Sequence, residues 1–274
     1  MLVTKPTDAA LGAVVEGVDL SQQVDSDLFE ELNKALLEHE VLFFHDQPIK
    51  PENHAHLANL FGAPQYHEAY PHVEGYSQIT VLENDRENPS KIEKWHTDMT
   101  FRACPPLGSI LHGAIMPDTG GDTMFASMSA AYQGLSETMQ RFLHGLTAIH
   151  DFSHGFKESL EEPGGRERLA KMVEANPPVE HPVVRTHPLS GKKGLFVNSL
   201  FTVAIRGLKE KESRILLDFL CEHAVQDEYV YQFSWQNDSI AIWDNRITQH
   251  KPVNDYWPQH RRMQRITIDG DAPF

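Results

Sequence analysis

The chain has 274 residues, 40 % of them hydrophobic, with 24 Lys plus Arg against 39 Asp plus Glu and a formal net charge of −15. That length and apolar content support one sizeable core and exclude intrinsic disorder, while the acidic balance argues against nucleic-acid or anionic-membrane partners because like charges repel. Two cysteines, Cys104 and Cys221, are too few for a disulfide scaffold, and the first twenty residues, which carry Lys5, Asp8, Glu16 and Asp19, hold no apolar run of signal-peptide or membrane type, so a soluble protein of the reducing cytoplasm is expected.

In chain order, Leu28, Leu32 and Leu36 recur every four residues behind Ser26, a candidate N-cap, and predict a first helix. A strand is predicted over 41–44, and Pro51 opens a second helix that Gly62 ends. Strands follow at 78–82, 107–115 and 122–126, then a helix over 136–144. Further strands are predicted at 183–186 and 194–198, a helix over 210–224 on the stripe of Ile215, Leu216, Phe219 and Leu220, and strands at 229–235, 239–243 and 264–268. Gly120-Gly121, Ser190-Gly191 and Asn237-Asp238 supply turns between them. Closely spaced strands, helices at the start and no βαβ alternation predict a mainly β fold with flanking helices, a sandwich or jelly roll, in one domain over 1–274. The polar stretch 152–180, with Gly155 and Gly164-Gly165, interrupts the strands; it reads as a candidate active-site lid or as a solvated loop with a helix.

The sequence Trp95-His96-Thr97-Asp98 places an imidazole and a carboxylate two residues apart, and on a strand those two share a face. With 16 histidines, about one His-x-Asp arises by chance, so the pair alone is weak. A second donor comes from Trp243-Asp244-Asn245-Arg246-Ile247-Thr248-Gln249-His250, where a strand is expected to end in a histidine returning to the same pocket. Two histidines and one carboxylate leave three coordination positions open and suit non-haem Fe(II), whereas a structural zinc wants four closed ligands. Arg261 and Arg265 share one face of the last strand while Arg262 and Gln264 take the other, so two guanidinium groups could each bind an anion; a solvated arginine-rich edge is the blander reading.

These motifs resemble the taurine dioxygenase family of Fe(II)- and 2-oxoglutarate-dependent dioxygenases. The resemblance spans the chain and also covers Gly120-Gly121-Asp122-Thr123, Asn176-Pro177-Pro178, His181-Pro182-Val183-Val184-Arg185-Thr186-His187-Pro188, Leu195-Phe196-Val197-Asn198 and the ending Gly270-Asp271-x-Pro273-Phe274. It implies a double-stranded β-helix, a jelly roll, with Fe(II) held by His96, Asp98 and His250 in its mouth. It further implies 2-oxoglutarate as co-substrate, its far carboxylate met by Arg261 and Thr123, and O2 as oxidant. The prime substrate would meet Arg265, His67, Tyr70 and Phe201, with Phe156 on the candidate lid.

The implied reaction hydroxylates a small sulfonate such as taurine at the carbon bearing sulfur, releasing sulfite and an aldehyde alongside succinate and CO2. Two positions depart from the pattern. Ile92 stands where family members that oxidise taurine carry an asparagine, and Met99 replaces a valine. An isoleucine neither donates nor accepts a hydrogen bond, which favours another anion: an amine-free alkanesulfonate, a sulfate ester or an aryloxyalkanoate. A barrel that binds metal or a small acid without turnover is the competing class, and a zinc hydrolase ranks below it, since no general base is evident. The expected partners are thus a small anionic substrate and, at most, further copies of the chain.

Overall fold

The structure is a computed structural model and describes residues 2–66, 70–90 and 93–274. Its strands in chain order are β1 (Val3–Pro6), β2 (Ala13–Glu16), β3 (Val41–Phe44), β4 (His72–Val73), β5 (Tyr76–Asn84), β6 (Gly108–Ile115), β7 (Thr123–Ser127), β8 (Thr147–His150), β9 (Val179–Pro182), β10 (Val184–Thr186), β11 (Lys193–Leu195), β12 (Thr202–Ile205), β13 (Val230–Phe233), β14 (Ile240–Asp244), β15 (Thr248–Pro252) and β16 (Arg261–Ile268). The helices are α1 (Ser26–His39), α2 (Pro51–Phe61), α3 (Met128–Gly134), α4 (Glu137–Leu143), α5 (Phe152–Gly155), α6 (Lys157–Glu161), α7 (Gly165–Ala175) and α8 (Glu210–His223).

An eight-stranded sheet runs β1-β2-β3-β14-β6-β16-β5-β4, and a three-stranded sheet runs β13-β7-β15. Side-chain alternation sorts each central strand between two cores. In β3, Leu42 and Phe44 join Leu32, Leu36, Leu57 and Ala58 of α1 and α2 in one core, while Val41 and Phe43 join Phe125 and Phe233 of the small sheet in another. β14 repeats the pattern, with Ile240 and Ile242 outward and Ala241 and Trp243 inward. The large sheet therefore packs helices on one face and the small sheet on the other, which is the jelly roll expected. Beyond the small sheet, Ala126 faces a third core with Leu195, Leu217 and Leu220, under α3 and α8.

Three local expectations shift. Asp25, not Ser26, caps α1: its carboxylate accepts from the Leu28 amide at 2.9 Å, and Ser26 is the first helical residue. The strand expected over 194–198 ends at Leu195; the Phe196 amide still donates to the Val183 carbonyl at 2.8 Å, and Asn198 turns its side chain to accept from the Leu200 and Phe201 amides. The stretch after Asp151, expected as a lid or as a loop with a helix, holds three helices, α5, α6 and α7. It is anchored by Phe152, stacked on Phe156 at 4.4 Å and packed edge-on against Phe101 at 5.1 Å.

Candidate active site

His250 does not end the strand that carries Trp243; it sits in the middle of the next one. β14 belongs to the large sheet and β15 to the small one, so the residues between them carry the chain from one sheet to the other. Asp244 builds that crossing. Its buried carboxylate accepts from the Arg246 amide at 3.0 Å, from the Arg246 guanidinium at 2.9 and 2.6 Å, and is met by His187 Nε2 at 2.9 Å. The Thr248 hydroxyl closes the turn on the Asp244 carbonyl at 2.8 Å. His250 then pairs with Phe125 across the small sheet and projects inward beside Trp243, with ring centroids 5.0 Å apart.

His96 joins β15 through a single antiparallel bridge, its amide donating to the His250 carbonyl at 3.0 Å and its carbonyl accepting from the His250 amide at 2.8 Å. Asp98 lies past that bridge in a turn, and Met99 has a φ of +49°. The two ligand candidates are thus not on one strand, as their spacing predicted. Side chains carry on the pairing where the backbone leaves it: the Thr97 hydroxyl donates to the Thr248 carbonyl at 2.8 Å, and the Asn245 amide oxygen accepts from the Asp98 amide at 2.8 Å. Asn245 also donates from Nδ2 to the Asp98 and Pro106 carbonyls, both at 3.1 Å.

The result brings His96, Asp98 and His250 together, all buried, with one donor atom from each within 4.8 Å of the others. It is the one such group of three among the described residues. Asp98 Oδ1 lies 3.5 Å from His96 Nε2 and 3.9 Å from His250 Nε2, while Oδ2 is buried without a hydrogen bond. His96 Nδ1 is 2.8 Å from the Lys94 carbonyl, an acceptor, so that nitrogen carries the hydrogen and Nε2 presents its lone pair inward. Burial pushes the His250 imidazolium down to about 3, helped by His96 and opposed by Asp98, so the ring is neutral at ordinary pH. Burial alone would raise the Asp98 carboxyl, but Arg265, His250 and His96 outweigh it and hold it well below the usual carboxylate range. A neutral His250 imidazole, the inward Nε2 of His96 and an ionised carboxylate with one oxygen free of hydrogen bonds fit a divalent metal with open positions.

Arg261 and Arg265 share the inward face of β16 with Met263, as the alternation predicts. Arg265 Nη1 is 3.6 Å from Asp98 Oδ2, and its Nε is buried without a partner. Arg261 is 8 % exposed, its guanidinium over Tyr256 at 5.6 Å and its Nε likewise unpartnered. Gly120 and Gly121 both have φ of +76°, and a Cβ on Gly121 would come within 3.3 Å of Arg261 Nε, so the glycine pair serves both the turn and the room beside that guanidinium. Thr123, two residues on, shares a face of β7 with Phe125 and thus with His250. The Trp235 indole donates to its hydroxyl at 2.9 Å, and because indole is a donor only, the hydroxyl's own hydrogen is left for another acceptor.

Beside the three ligand candidates lies an apolar cluster of Met99, Phe101, Phe152, Leu200 and Phe201, with Phe156 and Met172 against it. The Phe201 ring is 6.5 Å from His96. Tyr70 is half-buried two residues before β4. His67 and Ile92 lie outside the described residues. Asn245 and Trp235 have no role in the sequence reading: each acts through a hydrogen bond to a residue distant in the chain.

Residues 3–267 match the model of the taurine catabolism dioxygenase TauD, TfdA family. The chain belongs to this family. It is 38 % identical to an alkylsulfatase of Acinetobacter baylyi over 96 % of this chain and 83 % of that protein, and 35 % identical to an alpha-ketoglutarate-dependent sulfate ester dioxygenase of Pseudomonas putida over 98 % and 89 %. The crystal structure of a taurine dioxygenase from Burkholderia xenovorans superimposes with a TM-score of 0.85 at 33 % identity, covering 99 % of this chain and 90 % of that one. The protein is therefore a 2-oxoglutarate-dependent dioxygenase of the TauD, TfdA family, using Fe(II), 2-oxoglutarate and O2. No helix among the described residues is long and apolar enough to cross a membrane.

Proposed function

We propose that this dioxygenase oxidises a small organic sulfate ester or amine-free sulfonate with an apolar carbon chain, at the carbon bearing the sulfo group. The observation that carries this reading is that the largely covered Arg265 guanidinium, 3.6 Å from Asp98 Oδ2, and the apolar cluster of Met99, Phe101, Phe156 and Phe201 both lie beside the three ligand candidates. One end of such a substrate needs a charge-assisted, bidentate partner and the other needs desolvated contact area. The described cluster offers no second carboxylate to an ammonium group, and in sequence Ile92, without a polar side-chain atom, stands where taurine-oxidising members carry an asparagine. The names of the sulfate-ester and alkylsulfate relatives point the same way.

His96, Asp98 and His250 hold the iron in this reading, and Arg261 with Thr123 holds the far carboxylate of 2-oxoglutarate. Iron and 2-oxoglutarate, when bound there, would supply O2 activation, one oxygen atom ending in succinate as CO2 leaves and the other in the hydroxyl of the substrate. Arg265 orients the sulfo group, and the stretch 152–180 serves as a lid whose Phe152 and Phe156 keep water from the reacting carbon. A hydroxyl placed on a carbon that bears O–SO3⁻ collapses to an aldehyde and releases sulfate; on a carbon bearing SO3⁻ it releases sulfite.

Anaerobically loaded enzyme should be given a medium-chain alkyl sulfate, an alkanesulfonate of the same length, taurine and an aryloxyacetate, with succinate and the sulfur anion both quantified. The expected order of kcat/KM places the alkyl compounds above taurine by about tenfold or more, about 1.4 kcal/mol of transition-state binding. Taurine or the aryloxyacetate emerging as the best substrate would overturn the proposal. So would succinate formed without any sulfur anion from the alkyl compounds.

A further inference from the structure

The fold leaves one problem at the centre unexplained by the backbone. His96 is held by paired main-chain bonds to His250, but Asp98, two residues on, has left the sheet for a turn in which Met99 has positive φ. A carboxylate on an unpaired turn would wander by ångströms, and a metal site needs its donors held within about half an ångström. What faces the Asp98 main chain is a side chain. Asn245, 1 % exposed, accepts from the Asp98 amide at 2.8 Å and donates to the Asp98 carbonyl at 3.1 Å, matching donor and acceptor as a neighbouring strand would. Its remaining amide hydrogen goes to the Pro106 carbonyl at 3.1 Å, and its own main-chain amide donates to the Leu107 carbonyl at 2.9 Å, so the clamp is anchored at the start of β6.

We infer that Asn245 is the positioning residue of the iron centre: its carboxamide replaces the missing strand partner of Asp98 and holds the carboxylate at ligand distance before any metal arrives. Asn245 bonds the main chain of Asp98 and not its carboxylate. Its neighbour Asp244 carries the crossing between the two sheets, so the dipeptide divides two tasks: Asp244 locks the turn, and Asn245 ties that turn to the opposite ligand. The sequence separation of 147 residues between Asn245 and Asp98 makes the clamp a purely tertiary device.

Asn245→Ala and Asn245→Ser both lose the two-point pairing. In the metal-free full chain, anaerobic titration with Fe(II) alone should show affinity weakened about tenfold or more, the range seen when a partner that orients a metal ligand is removed. At saturating Fe(II) the KM for 2-oxoglutarate should stay near that of the parent, which separates a displaced carboxylate from a collapsed pocket. Leu220→Ala, in the core under α8, serves as the comparison: it should lower Tm without moving the Fe(II) affinity. A folded Asn245 variant that binds Fe(II) within twofold of the parent overturns the inference. Hydrogen exchange on the parent tests it without any variant: in metal-free protein the Asp98 amide should be protected like the sheet. Rapid exchange that slows only when Fe(II) is added would show that the metal, and not Asn245, orders Asp98.

Discussion

Arg261 and Arg265 sit four residues apart on one face of β16, about 13 Å at strand rise, which is too far for one anion to span with both groups engaged. Each is expected to serve its own ligand. Arg261→Met should raise the KM for 2-oxoglutarate by tens-fold or more, because truncating a charge-assisted partner in a pocket costs about 2 to 5 kcal/mol. Arg265→Met should leave the visible band of the Fe(II)–2-oxoglutarate complex in place and lose the sulfur-bearing substrate; an exchange of the two phenotypes would dismiss the division. Trp235→Phe keeps ring volume beside Thr123 but removes the indole donor, and a neutral hydrogen bond is worth about 1 kcal/mol. Anaerobic titration should then find 2-oxoglutarate bound about fivefold more weakly, with Fe(II) affinity unchanged. The two arginines were legible because strand alternation is local. Trp235 was not, because its partner lies 112 residues away.

Among the helices, α6 and α7 are the least committed to the core. Neither α6 nor α7 has a side-chain N-cap, and within both only Gly165 is buried. Short uncapped helices are marginal without packing, so the segment depends on Phe152, Phe156 and Met172 against Phe101 and Phe201. Phe156→Ala should therefore loosen the segment. Limited trypsin digestion should cut first at Lys157, Arg166, Arg168 or Lys171, faster than in the parent, and O2 consumed per substrate oxidised should rise above one. Digestion that begins elsewhere, with coupling unchanged, would remove the lid assignment. The sequence marks this segment by polarity and glycine but not as three helices, since tertiary contact by three apolar side chains decides their state. By contrast α1, α2, α4 and α8 were legible through periodicity and caps, and the strands through β-branched and aromatic runs. β15, which carries His250, escaped: Thr248-Gln249-His250-Lys251-Pro252 has no strand-like run, and pairing with β7 alone makes it one.

At the scale of the whole molecule, burial of neutral histidines sets the response to acid. His54 and His150 are both pushed down to about 3, first by burial and then by His112 and His181 respectively. In the unfolded chain each regains its ordinary value near 6.5, so between about pH 3 and 6.5 the unfolded state binds more protons. Stability is thus full above pH 6.5 and lost as pH falls through that window. Urea midpoints of the metal-free protein should drop steadily from pH 7 to pH 5. His54→Leu should make that drop shallower; an unchanged slope would show that His54 does not carry it.

What the sequence determined by itself is whatever depends on neighbours within a few residues: the alternation that turns Arg261 and Arg265 inward, the helix periods, the glycine pair before Thr123, and the donor types suited to an open iron site. The candidate metal centre itself was decided only by the tertiary structure. His96 and Asp98 gain their geometry not from the spacing between them but from β15, where His250 pairs with one and Asn245 clamps the stretch that holds the other. The physical reason is that backbone groups in a buried turn must be satisfied by some partner, and which partner reaches them depends on how two sheets close on each other rather than on any local run of residues.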